Sequence, residues 1–120
     1  MEVRFYKNKE TKEVVLSLEK IEDANMLELK ANDTDAALEK HVPVVEINGN
    51  HVHAVVGSVL HPMTEPHYID FIALVTDQKA ELKRLDHTGA PEADFELAEG
   101  EKVVAVYEFC NLHGLWKKEL

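Results

Sequence analysis

The sequence predicts an all-β protein, an antiparallel sandwich or barrel. Three observations point there: six or seven short apolar or alternating runs recur at roughly even spacing, turn signals stand between them, and only Ala36–Lys40 reads as helical. Short strands punctuated this way are the pattern of a two-layer antiparallel fold.

In chain order, Glu2–Tyr6 alternates, passes a polar turn over residues 7–12, and is answered by Glu13–Leu18, a β-hairpin. Glu19–Lys30 fits either a short strand or a loop, with Ile21, Met26, Leu27 and Leu29 as its apolar members. Asn32-Asp33-Thr34-Asp35 offers N-cap residues for the helical turn at Ala36–Lys40. Pro43 closes that turn, because the residue before a proline avoids the helical region. Val44–Ile47 is a short strand, Asn48-Gly49 a hairpin turn signal, and His51–Val56 the returning strand. His61–His67 carries Pro62 and Pro66 and is expected to be irregular. Tyr68–Thr76 is an apolar strand and Ala80–Leu85 an alternating one. Thr88-Gly89-Ala90-Pro91 makes a turn, followed by a strand at Ala93–Leu97. Ala98–Glu101 turns into Lys102–Phe109, and Leu115-Trp116-Lys117 forms a last short strand. The composition shift near Asn32–Asp35 divides a small N-terminal hairpin unit, residues 1–35, from a main β domain, residues 36–120.

A chain of 120 residues is about the usual size of one domain and can bury a core. With 45% apolar and 30% charged residues it has the composition of a soluble globular protein. No apolar run approaches the ~20 residues that span a bilayer. The start, Met1–Lys7, is charged and lacks the apolar stretch of a signal peptide. With a single cysteine, this makes a cytoplasmic location the expectation. A formal charge of −10 argues against nucleic acid, which is bound mainly through Lys and Arg, and against an anionic membrane surface. An anionic substrate would have to be attracted by a local positive residue.

The one cysteine, Cys110, follows an apolar run and precedes His113 by three residues. A lone thiol has no partner within the chain, which leaves core filler, nucleophile or metal ligand. On a turn, Cys-x-x-His brings a thiolate and an imidazole within reach of one ion. His41, His61, His67, Cys110 and His113 all fall at strand ends or in the proline-broken loop, where β scaffolds present functional groups. Any one histidine alone is more often a surface or capping residue. His51 and His53, alternating along a hairpin strand, and His87, in a turn beside Asp86, are read as solvated. Cys, His and Met together also describe blue-copper sites, but there the methionine follows the last histidine. No methionine follows His113, so Met63 is read as packing beneath the His61–His67 loop.

Four motifs then stand in order: Glu39-Lys40-His41-Val42-Pro43-Val44; Gly57-Ser58-Val59-x-His61-Pro62-Met63 with His67-Tyr68; Gly89-Ala90-Pro91-Glu92; and Tyr107-Glu108-Phe109-Cys110-Asn111-Leu112-His113-Gly114-x-Trp116. From about Thr34 to Lys117 they resemble a superoxide reductase, the iron domain shared by desulfoferrodoxin and neelaredoxin. The resemblance implies an immunoglobulin-like β-sandwich and a mononuclear non-haem iron. It implies four equatorial ligands, His41, His61, His67 and His113, with Cys110 axial; His113 would bind through Nδ1 and the others through Nε2. Glu39 matches the carboxylate that can fill the sixth position, and Lys40 the cation beside the open site; these two are the catalytic candidates. The implied activity is one-electron reduction of superoxide to hydrogen peroxide without dioxygen production. Rubredoxin or a similar small carrier would be the donor, and the protein would be a homo-oligomer, dimer or tetramer.

The residue types suit that chemistry, since imidazole suits iron and a thiolate is a strong electron donor to it. Backbone N–H groups of Leu112 and His113 are expected to point at the Cys110 sulfur. Residues 1–35 contain no cysteine, so the cysteine-bound second iron of the two-iron members is not expected there, and the segment is expected to be structural. Two other readings stay open. One is an electron-transfer protein using iron or copper in the same site without turnover, against which an open position and Lys40 speak. The other is a metal-free interaction module, which protein unable to take up ferrous iron would indicate.

Overall fold

The computed structural model describes residues 2–120. Its strands are β1 (Arg4–Asn8), β2 (Val14–Ser17), β3 (Met26–Leu29), β4 (Pro43–Asn48), β5 (His51–Val56), β6 (Ile69–Thr76), β7 (Ala80–Arg84), β8 (Glu92–Glu96), β9 (Val103–Cys110) and β10 (Gly114–Glu119). One helical turn, α1 (Leu38–His41), precedes β4. All strand pairings are antiparallel. A four-stranded sheet, β10-β9-β6-β7, faces a three-stranded sheet, β4-β5-β8, in the immunoglobulin-like four-on-three arrangement.

Alternation decides what enters the sandwich. Along β5, Val52, Ala54 and Val56 are fully buried while His51, His53 and Val55 are not. They meet Ala93 and Phe95 of β8, and Ile69, Ile72, Leu74, Val106 and Cys110 of the facing sheet. The central strands β6 and β9 are apolar on both faces, the pattern of strands covered on both sides. Their outer cover is a third sheet, β2-β1-β3. Phe5 and Val14 of this sheet pack on Phe71, Ala73, Phe109 and Leu115. The ring centroids of Phe5 and Phe71 lie 5.7 Å apart, and those of Phe71 and Phe109 lie 5.8 Å apart. Burying a ring of this size stabilises the fold by about 1.5–3 kcal/mol.

The expected N-terminal hairpin is present as β1 and β2, and the ambiguous stretch at Glu19–Lys30 supplies its third strand, β3. Leu27 and Glu28 of β3 are exposed, which blurs its alternation. The chain then ties to β10 through Asn32, whose Oδ1 accepts from the Lys117 N–H at 2.9 Å and whose own N–H reaches the Leu115 carbonyl at 2.9 Å. Asn32 has φ +62°, a left-handed conformation that asparagine tolerates. Two local expectations are corrected. The cap of α1 is Ala37, without a side-chain hydrogen bond, rather than a residue of Asn32–Asp35. The β4–β5 loop is Gly49-Asn50, not Asn48-Gly49, because Asn48 pairs with His51 and only Gly49 takes a positive φ, +64°. Glycine first in a two-residue loop is the demand of a type II′ turn.

Candidate metal centre

Three loops at one end of the sandwich bring five side chains together. α1 delivers His41, the irregular segment after β5 delivers His61 and His67, and the β9–β10 turn delivers Cys110 and His113. One nitrogen from each histidine and the Cys110 sulfur all lie within 4.8 Å of one another. The imidazoles form a closed ring, each meeting the next edge-on. Centroid separations are 4.9 Å from His41 to His61, 4.6 Å to His67, 5.1 Å to His113 and 4.8 Å back to His41, with interplanar angles of 75° to 88°. Cys110 Sγ sits 3.5 Å from His61 Nε2 and 3.8 Å from His113 Nδ1.

Backbone carbonyls fix two of the tautomers. His41 Nδ1–H donates to Ala37 O at 2.8 Å and His61 Nδ1–H to Pro62 O at 2.7 Å. Each leaves its unprotonated Nε2 aimed into the ring, where His41 Nε2 lies 3.0 Å from His113 Nδ1 and His61 Nε2 lies 3.5 Å from Cys110 Sγ. His67 Nε2 is buried with no hydrogen-bond partner among the described residues. His41 and His61 are almost wholly buried, and desolvation holds both below the ordinary imidazole range, His61 at about 4. Desolvation also lowers His67, with smaller contributions from His113, His41 and Lys40. At neutral pH these three rings are therefore uncharged donors. Burial pushes the Cys110 thiol up, and N–H donation from the backbone of Leu112 and His113 opposes that rise. Converging lone pairs, an orphaned ring nitrogen and a sulfur already supplied with donors fit a transition-metal ion.

The surrounding chain holds these groups in place. Trp116 is buried, stacks on the His41 ring at 5.1 Å and donates its indole N–H to His113 O at 3.0 Å. Gly114 takes φ +83° to close the turn behind His113. Asn111 joins two loops: its Oδ1 accepts from Tyr68 N–H at 2.8 Å, and its Nδ2 donates to Pro66 O at 3.0 Å. The Glu39 carbonyl accepts from Val59 N–H at 2.9 Å and from the Ser58 hydroxyl at 3.3 Å. Met63 packs against the main core and its sulfur accepts the Ile69 N–H at 3.3 Å, consistent with a packing role.

Glu39 and Lys40 lie outside the group of five, and both are exposed on α1. Their charges nevertheless reach it, Lys40 acting on His41 and His67, and Glu39 on His41. Sequence reasoning assigned no role to Gly57, Asn111 or Glu108. Glycine and asparagine beside ligand motifs were the available signal for the first two. Glu108 stood inside the fourth motif, but a glutamate in a strand reads as solvent-facing and gave no sign of burial. Here it is fully buried, both carboxylate oxygens lack hydrogen-bond partners among the described residues, and burial pushes its pKa well up. Replacing Asn111 by alanine should free the His67 loop and weaken metal binding about 10- to 100-fold, the usual cost of losing a residue that orients a ligand. Competition against a chelator measures this, and unchanged affinity would show that the loop holds itself.

The likeness to known proteins follows the same residues. Residues 33–119 match the family model described as Desulfoferrodoxin. The desulfoferrodoxin of Nitratidesulfovibrio vulgaris is 50% identical over 91 residues, 76% of this chain and 71% of that protein. The desulfoferrodoxin of Clostridium acetobutylicum is 45% identical over 96 residues, 79% of this chain and 74% of that one. Among solved structures, the superoxide reductase from Treponema pallidum superposes with a TM-score of 0.87 at 38% identity, covering 99% of this chain and 100% of the other. Both the main sandwich and the N-terminal sheet are thus shared with a solved protein, and the chain belongs to the desulfoferrodoxin family.

Proposed function

We propose that this chain is a superoxide reductase, converting superoxide, one electron and two protons into hydrogen peroxide without releasing dioxygen. The observation that carries the reading is the closed ring of four imidazoles with one cysteine sulfur against it. His41, His61, His67 and His113 with Cys110 would hold one iron ion, and Glu39 would be a further carboxylate able to join them. Ferrous iron bound there supplies the electron.

The chain's own residues do the rest. Four imidazole nitrogens and one sulfur make up the donor set, in which the sulfur is the strong electron donor. The N–H groups of Leu112 and His113 restrain that donation by sharing the sulfur lone pairs. Lys40 places a positive charge beside a protein of net charge −10, so it is the local attractor for an anionic substrate. Exposure of Glu39 and Lys40 leaves this rim open to water, the source of both protons.

Pulse-generated superoxide tests the reading through its product. A reductase yields one hydrogen peroxide for each superoxide consumed while reductant lasts, whereas dismutation yields one for every two and releases dioxygen. The second stoichiometry, or no consumption by iron-loaded protein, would overturn it. Lys40→Met should slow the second-order reaction about tenfold and flatten its dependence on salt, because steering by one charge is lost. Stopped-flow rates across ionic strengths check this, and a rate unchanged at low salt would remove Lys40 from the mechanism.

The donor we assign is a small one-electron carrier such as rubredoxin. Residues 1–35 we assign to a metal-free structural unit preceding the iron domain at 36–120, in a cytoplasmic homo-oligomer. No helix among the described residues is long and apolar enough to cross a membrane.

A further inference from the structure

We propose that His51, His53 and Asp94 form a second metal site, for a divalent ion such as nickel or zinc, on the outer face of the β4-β5-β8 sheet. The two histidines are residues i and i+2 of β5, so both side chains leave the same face about 6.6 Å apart along the strand. Asp94 of the edge strand β8 stands directly opposite His53. One Asp94 oxygen, Oδ1, lies 2.9 Å from His51 Nε2 and 2.7 Å from His53 Nδ1. Two imidazole nitrogens from one strand thus flank a carboxylate oxygen of the next, a donor set that selects borderline transition ions over calcium or magnesium.

The far nitrogens are also provided for. His51 Nδ1 lies 2.6 Å from Glu96 Oε1, and His53 Nε2 lies 4.0 Å from Glu92 Oε2. A carboxylate on the non-ligating nitrogen fixes the ring and raises its basicity, as at metal-bound histidines generally. Here His51 has one within hydrogen-bond distance, and His53 has one nearby at 4.0 Å.

Charge points the same way. Glu46, which stands opposite His53 on β4, adds a fourth carboxylate to this face. Among the described residues no lysine or arginine pairs with the side chain of Glu46, Glu92, Asp94 or Glu96. The two nearest lysines are directed to main chain instead: Lys79 Nζ donates to Glu96 O at 2.8 Å, and Lys83 Nζ to Asp94 O. Among the described residues, the side chains paired with these carboxylates are the imidazoles of His51 and His53. A divalent ion would replace two ring protons, satisfy Asp94 and clip the edge strand β8 to β5.

This face is distinct from the centre built by the loops. His51 begins β5 at the Gly49-Asn50 turn, whereas His61 follows the other end of the strand, five residues or about 17 Å further along. The histidines face outward while Val52, Ala54 and Val56 face the core. The sequence read them as solvated; their cross-strand partners became visible only with the register of β5 on β8.

The test uses full-length protein whose His/Cys centre has been filled with ferrous iron under anaerobic conditions. Nickel is titrated calorimetrically, with metal analysis afterwards to establish that iron stays at its starting ratio. One nickel per chain is expected, together with a rise in unfolding temperature that grows with nickel concentration. His51→Ala, His53→Ala and Asp94→Asn should each weaken nickel binding about tenfold or more and abolish the thermal shift, leaving iron content unchanged. All three side chains are exposed or half-exposed, so the variants should fold, and circular dichroism verifies it. The absence of a nickel equivalent in the wild-type protein would overturn the proposal. So would nickel retained at equal affinity by the His51→Ala/His53→Ala double variant, which would place the ion elsewhere.

Discussion

Cys110→Ser is expected to leave a folded protein that still binds a metal ion through its four imidazoles but no longer reduces superoxide at a useful rate. Serine is nearly the same size, and the site of Cys110 is fully buried in the main core, so packing changes little. The electronic change is large. An alkoxide is not formed at neutral pH, and the sulfur-to-iron charge-transfer absorption of the oxidised protein should vanish. A loss of at least about 100-fold in turnover is expected, roughly 2.7 kcal/mol of lost transition-state stabilisation. A proton count adds a second readout. Because burial raises the Cys110 thiol, it is protonated in the metal-free protein at neutral pH, whereas burial keeps His41, His61 and His67 uncharged. Iron binding to the wild type should therefore release about one proton more than binding to the serine variant. Calorimetry in two buffers of different ionisation enthalpy measures the difference. As pH rises through the raised thiol value the release should fade, since the thiolate then pre-exists. Full activity in the serine variant would sink the assignment of Cys110 as donor.

Gly57→Ala should disturb the centre from outside it. A β-carbon built on Gly57 would collide with Glu39 O and fall 2.8 Å from Lys40 C, both backbone atoms. No rotamer change relieves such a contact, so either α1 or the Gly57-Ser58-Val59 segment must move. The same movement breaks the bonds from Val59 N–H and Ser58 Oγ to the Glu39 carbonyl and shifts His41 relative to His61. We expect a loss of about 1–3 kcal/mol in stability, the range for inserting a methyl group into a packed site. A fall in metal affinity should accompany it. Gly89→Ala is the control, since its β-carbon would lie 3.4 Å from Asp86 O, close to ordinary contact. Denaturant unfolding of the two variants side by side separates the cases. Equal, near-wild-type stability would show that the Glu39–Lys40 backbone can yield without cost.

The face of each strand was legible wherever one side of a sheet meets solvent. In His51–Val56 the pattern of buried Val52, Ala54 and Val56 against outward histidines is written in the residue order. The same rule loses its grip on β9, where Tyr107 and Phe109 point one way while Val106 and Cys110 point the other. Apolar residues on both faces announce burial on both faces, but not that the second cover is the N-terminal sheet. β3 was ambiguous because half of it is exposed. Glu108, buried and without a hydrogen-bond partner among the described residues, runs against the local expectation for its residue type.

By itself the sequence determined the all-β class, the positions of the strands other than β3, and the five side chains that one end of the fold gathers. It could do so because alternation, proline and glycine are local signals, and because the ligand motifs are short. Tertiary structure alone decided how the imidazoles stand edge-on around one point, how Gly57 backs α1, how Asn111 bridges two loops, and how Asp94 meets His51 and His53. Each of these pairs residues far apart in the chain. Their meeting is set by strand register and close packing, which depend on all the strands at once and on no single stretch of the sequence.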